Sequence, residues 1–170
     1  MHITLKYGLI TGVVYSIITL ILFFVFGNSI NFTTKFFIDF LLLNLVLYVF
    51  LYFPINKKIN SLSEQKYYYG EGMKVGFTTA FFASIVIVVF IFVFYKFINP
   101  EIFASIKQSM IPEINSTSLD SLKKSGSIKT LIANSSPVTL VLQQFSFTII
   151  SGMIASFILA AFISKKKAKQ

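Results

Sequence analysis

The stretch from Gly72 to Pro100, GMKVGFTTAFFASIVIVVFIFVFYKFINP, carries no charge between Lys74 and Lys96. About 21 residues at a helical rise of about 1.5 Å cover roughly the 30 Å hydrocarbon core of a bilayer. Small residues recur along it at every fourth position: Gly72, Gly76, Ala80 and Ser84. That spacing places them on one helix face, as a ridge that lets another helix pack closely in lipid. The stretch is read as a membrane-spanning helix with a built-in contact face.

Three further apolar runs follow the same logic. Tyr7 to Gly27 is too long for the apolar part of an ordinary secretory signal and has no small-x-small site closing it, so it reads as a spanning helix. It has its own ridge: Gly8, Gly12 and Ser16. Phe36 to Ile55 is the next, ending at Pro54 and the pair Lys57-Lys58. Val138 to Ile163 is the last, with the ridge Gly152, Ser156, Ala160 and Ser164. Between the third and fourth runs, Asn99-Pro100 marks a stop and restart, since proline disfavours a helical residue before it and suits a first turn. PEIFASIKQSM places Ile102, Phe103, Ile106 and Met110 on one side, and a weaker amphipathic piece runs from Ser118 to Ala133. The expected architecture is all-α: a four-helix transmembrane bundle over about 7–27, 36–55, 72–98 and 138–163, with an outer amphipathic two-helix insertion over about 99–137, as one integral-membrane domain.

Helices one and three align without gaps at an offset of 68 residues. Lys6-Tyr7-Gly8 matches Lys74-Val75-Gly76, Thr11 matches Thr79, Ser16 matches Ser84, and Phe24-Val25-Phe26 matches Phe92-Val93-Phe94. Two readings are open, a tandem pair of helix hairpins and chance matching of low-complexity apolar sequence.

Composition enters through charge. Only 12% of residues are charged and 55% are hydrophobic, against about 25% charged in soluble domains. The net charge is +9 and every cation is lysine. The lysines flank apolar runs, where charges orient helices and meet anionic headgroups, and without arginine the bidentate phosphate fork is missing. Nucleic acid is therefore not an expected partner. Placing both termini in the cytoplasm gathers nine lysines inside (Lys6, Lys57, Lys58, Lys66, Lys74 and four in the tail) against six outside. Tyr67, Tyr68 and Tyr69 read as interfacial anchors.

There is no cysteine, and the single histidine, His2, reads as a solvated neighbour of the membrane surface. No Ser-His-Asp set, metal cluster or phosphate loop is present in the sequence pattern. The chain is read as non-enzymatic, without cofactor or metal. Asp39 is the residue with the strongest claim to chemistry, because an ionisable group within a span is costly. Its bland role is an interfacial carboxylate paired with Lys35 or hydrated. Asn44 lies deeper, with an interhelical hydrogen bond as its bland role, and Gln143 and Gln144 lie on the side of the membrane that Asp39 faces.

Three elements in order carry a family resemblance: Lys6-Tyr7-Gly8-Leu9-Ile10, then Gly70-Glu71-Gly72-Met73-Lys74-Val75-Gly76, then Ile98-Asn99-Pro100-Glu101. With four hydrophobic segments and a lysine-rich tail, the chain resembles the small bacterial membrane family called domain of unknown function 4199. It departs at Tyr67 to Gly70, where a Ser-Phe-Gly-like stretch is expected. The resemblance implies a four-helix bacterial inner-membrane protein with no assigned activity. Three functions are weighed: a structural or accessory module packing through its ridges with partner helices, itself or lipid; a small transporter or channel subunit with a polar site at Asp39, Asn44 and Gln144; and an envelope or lipid sensor reading the membrane through the outer insertion.

Overall fold

The computed structural model describes residues 3–26, 32–64, 68–116, 120–134 and 136–168. It is all-α, and there is no strand among the described residues. The helices are α1 (Ile3–Phe26), α2 (Phe32–Asn60), α3 (Tyr68–Val93, continued by a π-helical turn over Phe94–Ile98), α4 (Ile102–Ser116), α5 (Ser121–Asn134) and α6 (Pro137–Lys167). Four of them, α1, α2, α3 and α6, are long and apolar enough to cross a membrane. Met1–Val88 with Gln144–Gln170 form one compact unit, and Val89–Gln143 form a second.

In the first unit the interior is built from side chains of two sizes. On α2, Leu43, Leu47, Leu51, Ile55 and Ile59 recur every fourth residue and are at most 1% exposed. They make a ridge of large side chains, and the ridges on the other helices are small. The side chains between, such as Leu41, Leu45 and Val49, stay exposed and supply the lipid-facing surface.

The α2 ridge also explains why that helix passes its expected end at Ile55. Pro54 removes one backbone donor and crowds the preceding turn, which ends many helices. Here Pro54 is buried and the helix continues to Asn60, because Ile55 and Ile59 lie on the packed face. Helix breakers are tolerated in spans when neighbours hold the turn that follows.

Helices also outrun their apolar stretches elsewhere. α3 begins at Tyr68 and α6 reaches Lys167, since backbone bonding does not stop at the hydrocarbon edge.

In the second unit, α3 closes with a π turn: the Asn99 N–H donates to the Phe94 carbonyl oxygen at 2.9 Å. Asn99, with φ −132° and ψ 61°, has left the helical region just before Pro100. Phe90, Phe94, Tyr95 and Phe103 form a chain of ring contacts around this turn. α4 runs on through Pro112 to Ser116, beyond Met110. The Lys124 ammonium donates to the Asn115 carbonyl oxygen at 2.8 Å and so ties α5 to the end of α4. α6 starts where Ser136 caps it: the Thr139 N–H donates to Ser136 Oγ at 3.2 Å, with Pro137 in the first helical position. The side chains of Ile102, Ile106 and Met110, together with Ser118, lie outside the described residues.

Candidate functional site

The small-residue ridges meet each other. A Cβ built on Gly76 would strike Ser156 Oγ at 2.5 Å, one on Gly72 would lie 3.2 Å from the Ala160 Cβ, and one on Gly152 would collide with the Ala80 Cβ. Each step of four forward on α3 is matched by a step of four backward on α6. The two helices are therefore antiparallel and in fixed register. Continuing that register brings Ser84 opposite Thr148, and both are fully buried. The large ridge of α2 fills the remaining space: the Ile55 and Ile59 methyls sit 2.8 Å from built Cβ positions on Gly76 and Gly72.

The ridge on α1 packs against α3 instead. A Cβ on Gly8 would meet the Phe82 Cβ at 2.5 Å and the Thr79 carbonyl oxygen at 2.8 Å, and one on Gly12 would meet the Val86 Cβ at 2.5 Å. Here both residue numbers rise together, so α1 and α3 run parallel. The ten residues expected to pack helices, Gly8, Gly12, Ser16, Gly72, Gly76, Ala80, Ser84, Gly152, Ser156 and Ala160, are all buried. The ridges expected to reach partner helices thus face inward, against this chain's own helices.

Five hydroxyls on the ridges and beside them are spent locally. Thr11 donates to Tyr7 O, Ser16 to Gly12 O, Thr79 to Val75 O, Thr148 to Gln144 O and Ser156 to Gly152 O, all at 2.6–2.8 Å and within their own helices. Such back-bonding satisfies a hydroxyl in an apolar interior without an interhelical partner. Thr11 and Thr79, matched at the offset of 68, make the same bond.

The polar residues singled out in the sequence are engaged differently from one another. Asn44 Nδ2 donates to its own helix, at the Phe40 carbonyl oxygen, 2.8 Å away. Gln144 Nε2 does cross between helices, reaching the hydroxyl of Tyr15 at 3.4 Å. Tyr15 is 1% exposed and lies midway along α1. Asp39 is half-buried, and it occupies the position four residues before Leu43, at the head of the buried α2 ridge. α2 and α6 meet beside it through the rings of Phe40 and Phe147, whose centroids are 6.3 Å apart. The Lys35 side chain and His2 lie outside the described residues.

At the other end of these helices the contacts are ionic. The Lys167 ammonium donates to the carbonyl oxygens of Ile59 and Leu62, each at 2.7 Å, and lies 4.4 Å from the Tyr68 ring centroid. One lysine thereby ties the end of α6 to the end of α2 and the start of α3. A cation suits a helix C-terminus, where carbonyls lack intrahelical donors. Lys58 and Glu71 add an ion pair at 3.2 Å between α2 and α3.

Of the three tyrosines read as interfacial anchors, Tyr68 differs in being turned inward. Tyr68 is buried beneath Lys167, and the Tyr69 ring packs edge-on against Phe157, 5.6 Å away. Tyr67 lies outside the described residues. The lysine clasp had no signal separate from the neighbouring tail lysines, and the Tyr15–Gln144 pair had none beyond two polar letters in apolar runs.

Among known families, one described as Protein of unknown function (DUF4199) has a model that matches residues 6–165. No curated protein and no solved structure significantly matches the chain.

Proposed function

The chain belongs to the DUF4199 family, and from that premise we propose that it is a structural or accessory module of a bacterial inner membrane, with both termini cytoplasmic. The observation that carries this reading is the closure of the seams. The small ridges of α3 and α6 are occupied by one another and by the α2 ridge, and that of α1 by the Phe82 and Val86 face of α3, so these seams close within one chain. Its outward surface is a continuous set of large apolar side chains, among them Phe37, Leu41, Ile85, Phe157 and Phe162. Lipid, a second copy or a partner membrane protein would meet that surface rather than the glycines.

The test is gentle extraction of the tagged protein from its native membrane, followed by mass spectrometry of what co-purifies. A stoichiometric membrane partner or a defined oligomer is the expected result. A monomer with neither, active in a flux assay in liposomes, would overturn the reading.

Transport through a polar site is a second reading, and the Tyr15–Gln144 bond in the interior favours it. In that reading Asp39→Asn and Gln144→Leu each abolish flux while leaving the fold intact. Unchanged flux in both would remove it.

A further inference from the structure

The lysines at the tail end of the first unit fall into two chemical groups. That these helix ends lie together follows from contacts among them: the stacked rings of Tyr7 and Phe53, 6.2 Å apart, the Lys58–Glu71 pair, and the Lys167 bonds to α2. Lys58 and Lys167 are committed inside the protein. Lys6, Lys57, Lys74, Lys165 and Lys166 are exposed, and among the described residues none of their ammonium groups has an ion pair, hydrogen bond or ring contact. They are spread over all four spanning helices.

Each sits one helical turn from an exposed apolar side chain on the membrane-facing side. Ile10 follows Lys6, Phe53 precedes Lys57, Phe77 follows Lys74, and Phe162 precedes both Lys165 and Lys166. Residues three or four apart share a helix face. The surface therefore repeats one motif around the bundle end: a free ammonium above a greasy strip. A molecule complementary to it carries negative charge joined to hydrocarbon.

We propose that this end of the protein is a binding collar for anionic glycerophospholipid, with the five free lysines on the headgroup phosphates and the apolar strips along the acyl chains. The inference rests on the reading of the chain as a membrane module, and it names the lipid class that the module prefers. An acidic polypeptide would use the ammonium groups and leave the adjoining strips unused, so lipid is the better fit. Lys167, held by carbonyls and a tyrosine ring, belongs to the fold and not to the collar.

The full chain in neutral detergent is titrated with dioleoyl phosphatidylglycerol or dioleoyl phosphatidylcholine, and bound lipid is counted by native mass spectrometry. The wild type should prefer phosphatidylglycerol by more than tenfold. The preference should fall stepwise as lysines are removed, towards unity in K6Q/K57Q/K74Q/K165Q/K166Q. K107Q/K123Q/K129Q, which changes charge on α4 and α5, should leave it intact. If the quintuple variant does not fold, K165Q/K166Q alone should lower the preference by about threefold. An equal preference in wild type and collar variants overturns the proposal, as does no preference in the wild type. Equal competition by glycerophosphoglycerol, the headgroup without chains, or by polyglutamate also overturns it. Loss of lipid preference with co-purifying partners retained would sink the collar alone and leave the module reading standing.

Discussion

Along the seam between α3 and α6, a methyl group added at Gly76 would strike the Ser156 side chain at 2.5 Å, whereas one added at Gly126 in α5 would meet nothing within 4 Å. Both glycines sit inside helices, where glycine costs about 1 kcal/mol relative to alanine. In the seam that cost is offset by close approach of two backbones, which in lipid is a main source of helix association. At Gly126 no such return exists. There the Lys124 ammonium ties α5 to the end of α4, and Leu122 is 84% exposed. The same residue type is thus a packing device in one region and a plain conformational liability in the other.

The largest expected effect comes from filling the seam. Gly76→Leu should cost about 3 kcal/mol or more, as overpacking against Ser156 and Ile55, while Gly126→Leu should change stability by less than about 1 kcal/mol. Steric-trap or SDS unfolding of the two variants, side by side, checks the contrast. Equal effects would erase it.

A transposition sharpens it. Gly152→Ala should cost about 1–3 kcal/mol because the new methyl meets Ala80, and adding Ala80→Gly should restore most of that loss. Additive losses in the double variant would place the two residues out of contact.

Next comes the clasp at the end of the same unit. Lys167→Gln should destabilise by about 1–3 kcal/mol, through two charge-assisted bonds and a ring contact, whereas the exposed Lys166→Gln should stay within about 0.5 kcal/mol. Thermal unfolding in detergent distinguishes them. The smallest effect is a gain: Gly126→Ala should stabilise α5 by up to about 1 kcal/mol, read as increased helix protection in hydrogen exchange.

The sequence carried the spans and their small ridges plainly, because charge exclusion and four-residue spacing are local signals. It did not carry which ridge meets which, since Gly72, Gly76 and Ala80 would suit any small partner face. The α2 ridge of Leu43, Leu47, Leu51, Ile55 and Ile59 was concealed for a related reason. In a helix apolar all round, the inward face differs from the lipid face by packing and not by polarity. Pro54 looked like a terminus because its local cost is visible in sequence and the compensating burial of Ile59 is not. Asn44 and Gln144 were equally prominent as polar letters, yet one amide turns to its own backbone and the other crosses to Tyr15. Lys167 stood among identical tail lysines, and only the position of the α2 carbonyls sets it apart.

The register between α3 and α6 is the central claim, and the absence of native cysteine makes it directly testable by introduced thiols. Gly72→Cys with Ala160→Cys places two Cβ atoms about 3.2 Å apart, close to the separation a disulfide bridges. In isolated membranes under mild oxidation this pair should form an intramolecular disulfide rapidly. The pairs shifted by one turn, Gly72→Cys with Ser156→Cys and Gly72→Cys with Ser164→Cys, should remain reduced. Preferential cross-linking of a shifted pair, or disulfides that form only between chains, would contradict the seam described here.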